Sequence, residues 1–297
     1  MFALTLTSPK GRGDQVTNRN IMYRLLAIDI DGTLINSHSE LTPETRVALA
    51  EAAGAGIQVV LATGRRYSHA LPLVEPLKLD VPLVTASGAL VKDPLDHRTL
   101  YKARFDPQVL LDSLAVIDRC GLDAVVCADT FADGFDFYHA RATVRTPELA
   151  HYLATNRDRG RLWPELTTNP PPGVFSVFAV GTWEQMSHLE SALQRELPGK
   201  LHTHVLRPPR YVGFFTEIAP AGVTKWSAIR RLSEGWGIEE SEICAVGDDV
   251  NDIPMIQAAG LGVAMGNALP AVKAAADRVA PGHDEDGLVE VVRWLLK

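Results

Sequence analysis

The sequence predicts an α/β protein: a doubly wound parallel sheet whose chain is interrupted by an inserted α+β segment. Three observations carry this prediction. Apolar runs at Leu25-Leu26-Ala27-Ile28, Val59-Val60-Leu61-Ala62 and Ile243-Cys244-Ala245-Val246 each lead into polar residues beside a glycine, the pattern of a buried strand feeding a tight turn. Strand and helix patterns alternate on either side of the middle of the chain, as parallel strands joined by crossovers require. The stretch between Thr63 and Lys225 is far longer than a crossover, and its middle breaks the alternation.

Residues 1–21 carry too short an apolar patch for a secretory signal, and Lys10, Arg12, Asp14 and Arg19 suit a solvated, disordered extension. Met22 would serve as a natural start for the folded part. The first apolar run ends in Asp29-Ile30-Asp31-Gly32-Thr33. Side chains alternate along a strand, so Asp29 and Asp31 are expected to face one side. Thr42-Pro43-Glu44-Thr45 opens a helix with proline in its first turn, and Gly54 and Gly56 close it. The second run ends in Thr63-Gly64-Arg65. Only about thirty residues separate Asp31 from Thr63, enough for one crossover helix and no inserted domain.

Beyond residue 100 the expected elements are a helix over 106–120, strands over 124–128, 135–140 and 174–180, a helix over 183–197, and two strands within 201–219 around Arg207-Pro208-Pro209-Arg210. Arg157-Asp158-Arg159-Gly160-Arg161 is mixed in sign and reads as a solvated loop, and Asn169-Pro170-Pro171-Pro172-Gly173 as a loop within the insertion. The predicted division is an extension over 1–21, a core of 22–90 with 219–297, and an insertion of 91–218. Lys225 heads a helical stretch, and the third run ends in Gly247-Asp248-Asp249-Val250-Asn251-Asp252. Three strand ends thus carry acid, hydroxyl and acid, and a helix start carries a cation. Ligands in such sheets bind outside the carboxyl ends of the strands.

Composition narrows the functions. The 297 residues are 46% hydrophobic with a mean hydropathy of +0.02, and no apolar stretch approaches the ~18 residues of a membrane span. A net charge of -7 argues against a general nucleic-acid binder, which would present a basic face. Cys120, Cys127 and Cys244 show no metal-ligand spacing and read as buried reduced thiols, which favours a cytoplasmic compartment.

With these residues in place, the chain resembles the haloacid-dehalogenase-like phosphohydrolases, and within them the Cof-type (IIB) branch. Their four motifs, an Asp-x-Asp-Gly-Thr, a strand-end Thr or Ser, a Lys and a Gly-Asp-x-x-Asn-Asp, stand here in order. The tail Gly262-Val263-Ala264-Met265-Gly266-Asn267-Ala268 and Glu285-Asp286-Gly287 is similar as well. The resemblance runs from Met22 to the C-terminus and is weakest between residues 93 and 206. It implies a Rossmann-like core with a type-2 cap as the insertion, and a phosphatase acting on small phosphorylated metabolites.

A phosphate dianion repels an attacking carboxylate. Each unit pair at ~4 Å and an effective dielectric near 20 costs roughly 4 kcal/mol. Asp29 and Asp248 can hold a hard cation against this term, with Mg²⁺ the expected choice, and Lys225 adds a second positive charge. The resemblance further implies that Asp29 is the nucleophile that becomes an aspartyl-phosphate. Asp31 would be the general acid and base, and its backbone carbonyl would complete the protein's metal ligands. Thr63, amides near Asp31 and Gly64, Lys225 and Asn251 would hold phosphoryl oxygens, Asn251 alternatively orienting Lys225. Asp252 would position Lys225 or a metal-bound water. Arg65 is open between a substrate contact and a salt bridge to the core, and Arg207, Arg210 and Tyr211 are leaving-group candidates from the insertion.

Three positions depart from the family pattern: Ser87 stands where Asn is usual, His283 replaces another Asn, and Trp226 follows Lys225 where Gly is typical. None removes a charged part of the site. Two alternatives remain open. A phosphomutase could pass the same phosphoryl group to a second sugar hydroxyl. A phospho-switch receiver domain would place its phosphorylated aspartate apart from its acidic pair, which the compact Asp29-x-Asp31 does not.

Overall fold

The computed structural model describes residues 23–78, 80–207 and 211–297. The extension over 1–21 and Arg210 lie outside the described residues. The chain forms two compact units: one runs up to Leu100 and resumes from Thr224 to Lys297, and the other spans Tyr101–Val223.

The first unit begins with β1 (Leu25–Asp29), buried throughout. It is followed by α1 (Pro43–Gly54), whose N-cap Thr42 accepts a bond from the Thr45 amide at 3.1 Å. Proline at N1 loses no helical hydrogen bond there. Thr45, Ala48, Leu49 and Ala52 form its buried stripe. β2 (Gln58–Ala62), α2 (Tyr67–Val74), β3 (Leu83–Thr85), β4 (Leu90–Lys92) and β5 (Thr99–Lys102) complete the first stretch.

The second unit contains α3 (Pro107–Arg119), β6 (Val125–Ala128), β7 (Phe137–His139), α4 (Pro147–Thr155), β8 (Gly160–Leu162), β9 (Val174–Gly181), α5 (Trp183–Glu196), β10 (Leu201–Leu206) and β11 (Phe214–Pro220). Its six strands lie in the order β10-β11-β9-β6-β7-β8, all antiparallel pairs except β7 with β8. One face carries an apolar cluster in which Leu114 and Ile117 of α3 and Leu189 and Leu193 of α5 meet Val126, Val177, Ala179 and Ile218. Two local expectations change here. The strand expected over 135–140 shortens to β7 because Asp136 turns to Arg159, accepting its guanidinium at 2.9 Å on each oxygen. Gly160 and Arg161, expected in a solvated loop, instead begin the edge strand β8; the exposed Arg161 side chain is compatible with an edge position.

The chain then returns with α6 (Lys225–Trp236), β12 (Ile243–Gly247), α7 (Ile253–Ala258), β13 (Leu261–Ala264), α8 (Pro270–Ala275), β14 (Arg278–Val279) and α9 (Gly287–Leu295). The first sheet has the order β14-β13-β12-β1-β2-β3-β4-β5. Neighbours from β14 to β3 are parallel, and β4 is antiparallel to β3. Strands β4 and β5 thus extend this sheet, so residues 91–100, assigned to the insertion from sequence, group with the first unit. β1 sits between β2, the next strand in the chain, and β12, which arrives only after the insertion. This reversal of strand order opens a crevice at the carboxyl ends. Asp29 pairs with Ala62 and Ile28 with Val246, so Thr63 and Asp248 emerge beside Asp29.

Candidate active site

Asp29 is the last residue of β1 and only 4% exposed. Lys225, 2% exposed at the first turn of α6, donates to Asp29 Oδ1 at 2.5 Å, to Asp252 Oδ1 at 2.7 Å and to Asn251 Oδ1 at 3.2 Å. An ammonium has three protons, and these three acceptors use them. The helix start is itself fixed: the Thr224 hydroxyl accepts from the Ser227 amide at 3.1 Å, and Ser227 Oγ accepts from the Thr224 amide at 2.9 Å. Beside it, Gly88 has φ +103, and a Cβ there would lie 2.1 Å from the Thr224 carbonyl oxygen. Only glycine permits that approach.

The loop after β12 is folded around Asp252, which is fully buried. Asp252 Oδ2 accepts from the amides of Asp248 and Asp249 at 3.0 and 3.1 Å, while its other oxygen takes Lys225. Asp249 caps the following turn by accepting from the Val250 amide and does not enter the cluster. Thr33 donates its hydroxyl to Asp248 Oδ1 at 3.1 Å. Gly32, at φ +76, lets the turn after β1 reach Asp248, since a Cβ would sit 2.3 Å from Asp248 Oδ2.

The turn holding Asp31 departs from the sequence expectation. Strand β1 ends at Asp29, so the alternation that would put both acids on one face does not extend to Asp31. Instead Asp31 meets Arg65: Nε donates to Oδ1 at 3.0 Å and Oδ2 at 2.8 Å, and Nη2 reaches Oδ1 as well. Thr63, fully buried, extends its hydroxyl toward Asp31 Oδ2 at 3.4 Å and accepts from the Arg65 amide at 3.0 Å. Gly64 lies between them in that turn. Ser87, buried with φ +53, approaches Thr63 through its backbone, its amide donating to the Thr63 carbonyl at 3.1 Å.

Electrostatics follows from this packing. Burial raises the Asp29 carboxyl well above the usual range; Lys225 opposes the rise, and Asp252, Asp248 and Asp31 add to it. Burial, with Asp252 beside it, pushes Asp248 up to about 7, against the Thr33 hydrogen bond and Lys225. For Lys225 burial acts downward, but Asp252 and Asp29 outweigh it and keep the ammonium charged.

Asp29, Asp248 and Asp252 bring carboxylate oxygens within 4.8 Å of one another, a spacing suited to a metal ion. Both oxygens of Asp252 already have donors in Lys225 and two amides, whereas Asp29 Oδ2 and Asp248 Oδ2 have none among the described residues. Among the described residues, four carboxylates, counting Asp31, face two cations, Lys225 and Arg65. That buried excess of negative charge, presented through hard oxygen donors, fits a divalent cation held by Asp29 and Asp248.

The candidates from the second unit are not gathered in one place. Arg207 is exposed, with its guanidinium carbon 5.7 Å from the Phe214 ring centre, and Phe214 packs on the helix-covered face. Tyr211 packs on Tyr152 and Phe215 and donates its hydroxyl to Asn156 Oδ1 at 3.3 Å. Phe214 and Phe215 are successive strand residues and face opposite sides.

Two contributors were not singled out from sequence. Thr33 stands inside the Asp-x-Asp-Gly-Thr stretch, so its hydroxyl was available as a signal. Asn267 donates to the Gly32 carbonyl at 2.8 Å and accepts from the His283 amide at 2.9 Å. His283, read as replacing a usual Asn, approaches the Ile35 carbonyl through Nδ1 at 2.8 Å. No local pattern announces a contact spanning more than two hundred residues.

In class, the fold and this acid and lysine cluster are those of a hydrolase. The chain belongs to the haloacid dehalogenase-like hydrolases, whose family model matches residues 26–292. Among curated proteins it is similar to the 5-amino-6-(5-phospho-D-ribitylamino)uracil phosphatase YitU of Bacillus subtilis, with 27% identity over 91% of this chain and 96% of that one. It is similar to the pyridoxal phosphate phosphatase YbhA of Escherichia coli at 27% identity, covering 91% and 97% of the two chains. Among solved structures, a haloacid dehalogenase-like hydrolase from Bacteroides thetaiotaomicron superposes with a TM-score of 0.74 at 28% identity, over 92% of this chain and 99% of the other.

Proposed function

We propose that this protein is a Mg²⁺-dependent phosphatase of small phosphorylated metabolites. The observation that carries the reading is the buried Lys225 ammonium shared by Asp29, Asn251 and Asp252. It holds the Asp29 carboxylate in place through Oδ1. Family membership and relatives named as phosphatases support the same reaction.

In this reading Asp29 attacks phosphorus, the bond to the leaving alkoxide breaks, and Asp31 supplies the alkoxide's proton. Asp31 then takes a proton from water as the water attacks the aspartyl-phosphate, releasing inorganic phosphate and restoring Asp29. Thr63, the amides following it and Asn251 hold phosphoryl oxygens, while Lys225, whose three protons are taken, contributes its positive charge. Asp29, Asp248 and the Asp31 carbonyl would hold the cation, which when bound offsets charge on the phosphoryl group. Asp252 has both oxygens engaged and acts by orienting Lys225 and the Asp248 amide. The net charge of -7 argues against a nucleic acid as the substrate.

The test is a phosphate-release screen over sugar phosphates, phosphorylated vitamins and riboflavin-pathway intermediates. Activity should require Mg²⁺, vanish in chelator and fail to return with Ca²⁺, which accepts looser geometry. Asp29→Asn should keep the fold and lose activity by at least about 10³-fold. Turnover near wild type in that variant, or in excess chelator, would remove the reading.

A further inference from the structure

Arg65 is held more firmly than a surface arginine. Its amide donates to the Thr63 hydroxyl and its carbonyl accepts from the Ala86 amide at 2.9 Å, so its backbone is tied at both ends to the edge of the sheet. Its side chain is 12% exposed, whereas that of Asp31 is 33% exposed. Asp31 lies past the end of β1 in a turn, where strand packing no longer dictates its rotamer. The contact between them is a fork, with guanidinium nitrogens on both carboxylate oxygens. Such a fork sets the plane of a carboxylate as well as its place. Oδ1 receives both guanidinium nitrogens, whereas Oδ2 receives Nε and, at the longer distance of 3.4 Å, the Thr63 hydroxyl, so Oδ2 is the oxygen with room for a proton in transit.

We propose that Arg65 is a positioning residue for Asp31: it fixes the carboxylate plane so that Oδ2 points at the leaving oxygen and, after phosphoryl transfer, at the attacking water. This rests on the phosphatase reading above and adds to it a division of labour. Lys225 and its acceptors set the nucleophile, and Arg65, from the turn after a different strand, sets the proton shuttle. A guanidinium already committed to both Asp31 oxygens is poorly placed to serve as a substrate anchor. The pair is also more than a tie between strand ends, because its partner is partly exposed, unlike the buried Asp29 and Asp252, and among the described residues is otherwise approached by the Thr63 hydroxyl at 3.4 Å.

The two half-reactions separate these roles. The p-nitrophenolate group leaves without a proton, so formation of the aspartyl-phosphate from p-nitrophenyl phosphate does not need a positioned Asp31, but its hydrolysis does. In Arg65→Ala and Arg65→Gln, the first equivalent of p-nitrophenolate should appear within about threefold of the wild-type rate, followed by steady turnover slower on the order of 10²-fold. Acid quenching with ³²P-labelled acetyl phosphate, whose acetate also leaves without a proton, should trap more phosphoprotein in the variants than in wild type. With a sugar phosphate, kcat should fall by a similar factor and KM should move by less than about threefold. Arg65→Lys keeps the charge and loses the fork, and should recover less than about a tenth of the lost rate.

Melting curves identify any variant that fails to fold, and either the alanine or the glutamine form suffices. A first turnover slowed as much as the steady state would assign Arg65 to general site structure. A raised KM with unchanged kcat would make it a substrate contact, and full recovery in Arg65→Lys would make charge alone sufficient; each overturns the proposal. A wild-type protein lacking Mg²⁺-dependent phosphatase activity would overturn the parent reading, whereas active wild type with any of these variant outcomes overturns the Arg65 assignment alone.

Discussion

Burying an ammonium costs several kcal/mol unless acceptors replace its water. Lys225 has three, and its charge is needed because Asp29 and Asp252 would otherwise repel each other in a site closed to solvent. The same balance leaves Asp248 under-compensated, and a stability test follows. Its folded-state pKa, about 7, lies above the ordinary value of 3.8, so between those limits the folded state holds more protons than the unfolded state. Stability then falls as pH rises through the window, and Asp29 shifts in the same direction. His202, whose pKa burial lowers, acts oppositely on acidification, so the comparison must be made against a variant. In chelator at pH 8, Asp248→Asn should melt roughly 2–6 °C above wild type, and the difference should close towards pH 5.5. Added Mg²⁺ should raise the wild-type melting temperature and leave Asp248→Asn nearly unmoved. A variant no more stable than wild type at pH 8 would contradict the charge excess.

Helix α6 aims Lys225, and its aim depends on a contact with the turn after β3. The Thr224 carbonyl lies where a side chain on Gly88 would be. Gly88→Ala adds strain at φ +103 and a backbone clash, and the helix start must move. The expected result is a loss of at least about 2 kcal/mol of stability together with a clear fall in kcat. Gly237, the left-handed C-cap of the same helix at φ +63, has nothing within 4 Å of its would-be Cβ. Gly237→Ala should therefore cost about 1 kcal/mol and leave kcat unchanged. Equal effects on kcat in the two variants would show that the helix transmits strain from either end.

The cluster described above belongs wholly to the first unit, whereas the second unit, Tyr101–Val223, carries its own sheet and apolar core. That separation favours assigning chemistry to the first and leaving-group choice to the second. Exchanging residues 103–223 for the equivalent segment of a related phosphatase should reorder the ranking of substrates by kcat/KM. Mg²⁺ dependence and the need for Asp29 should persist. The exchange must leave β4 and β5 in place, because both strands extend the first sheet. An unchanged ranking in a folded, active chimera would give specificity to the first unit. On the second sheet, His204 Nε2 lies 3.0 Å from Glu217 Oε2, a polar pair that no motif announces.

The sequence by itself determined the class of fold, because three apolar runs with polar ends and crossover-length spacing admit few alternatives to a parallel sheet. It also indicated which acids and which hydroxyl would meet, since Asp29 ends a strand, Thr63 and Asp248 each follow one and strand ends in such a sheet converge, while Lys225 was singled out by its place among the motifs of the family the chain resembles. Tertiary structure decided how each charge is shared. β1 ends two residues before Asp31, too early for strand alternation to orient it, so a guanidinium from the neighbouring strand's turn does so instead. Asp252 was legible as part of the cluster, yet only the folded loop shows its oxygens committed to Lys225 and two amides. The Gly88 contact with Thr224 and the Asn267 bond to Gly32 join segments more than a hundred residues apart. Periodicity and turn chemistry are local, whereas hydrogen-bond partners are chosen by proximity in space, and that proximity exists only once the sheet has brought its strand ends together.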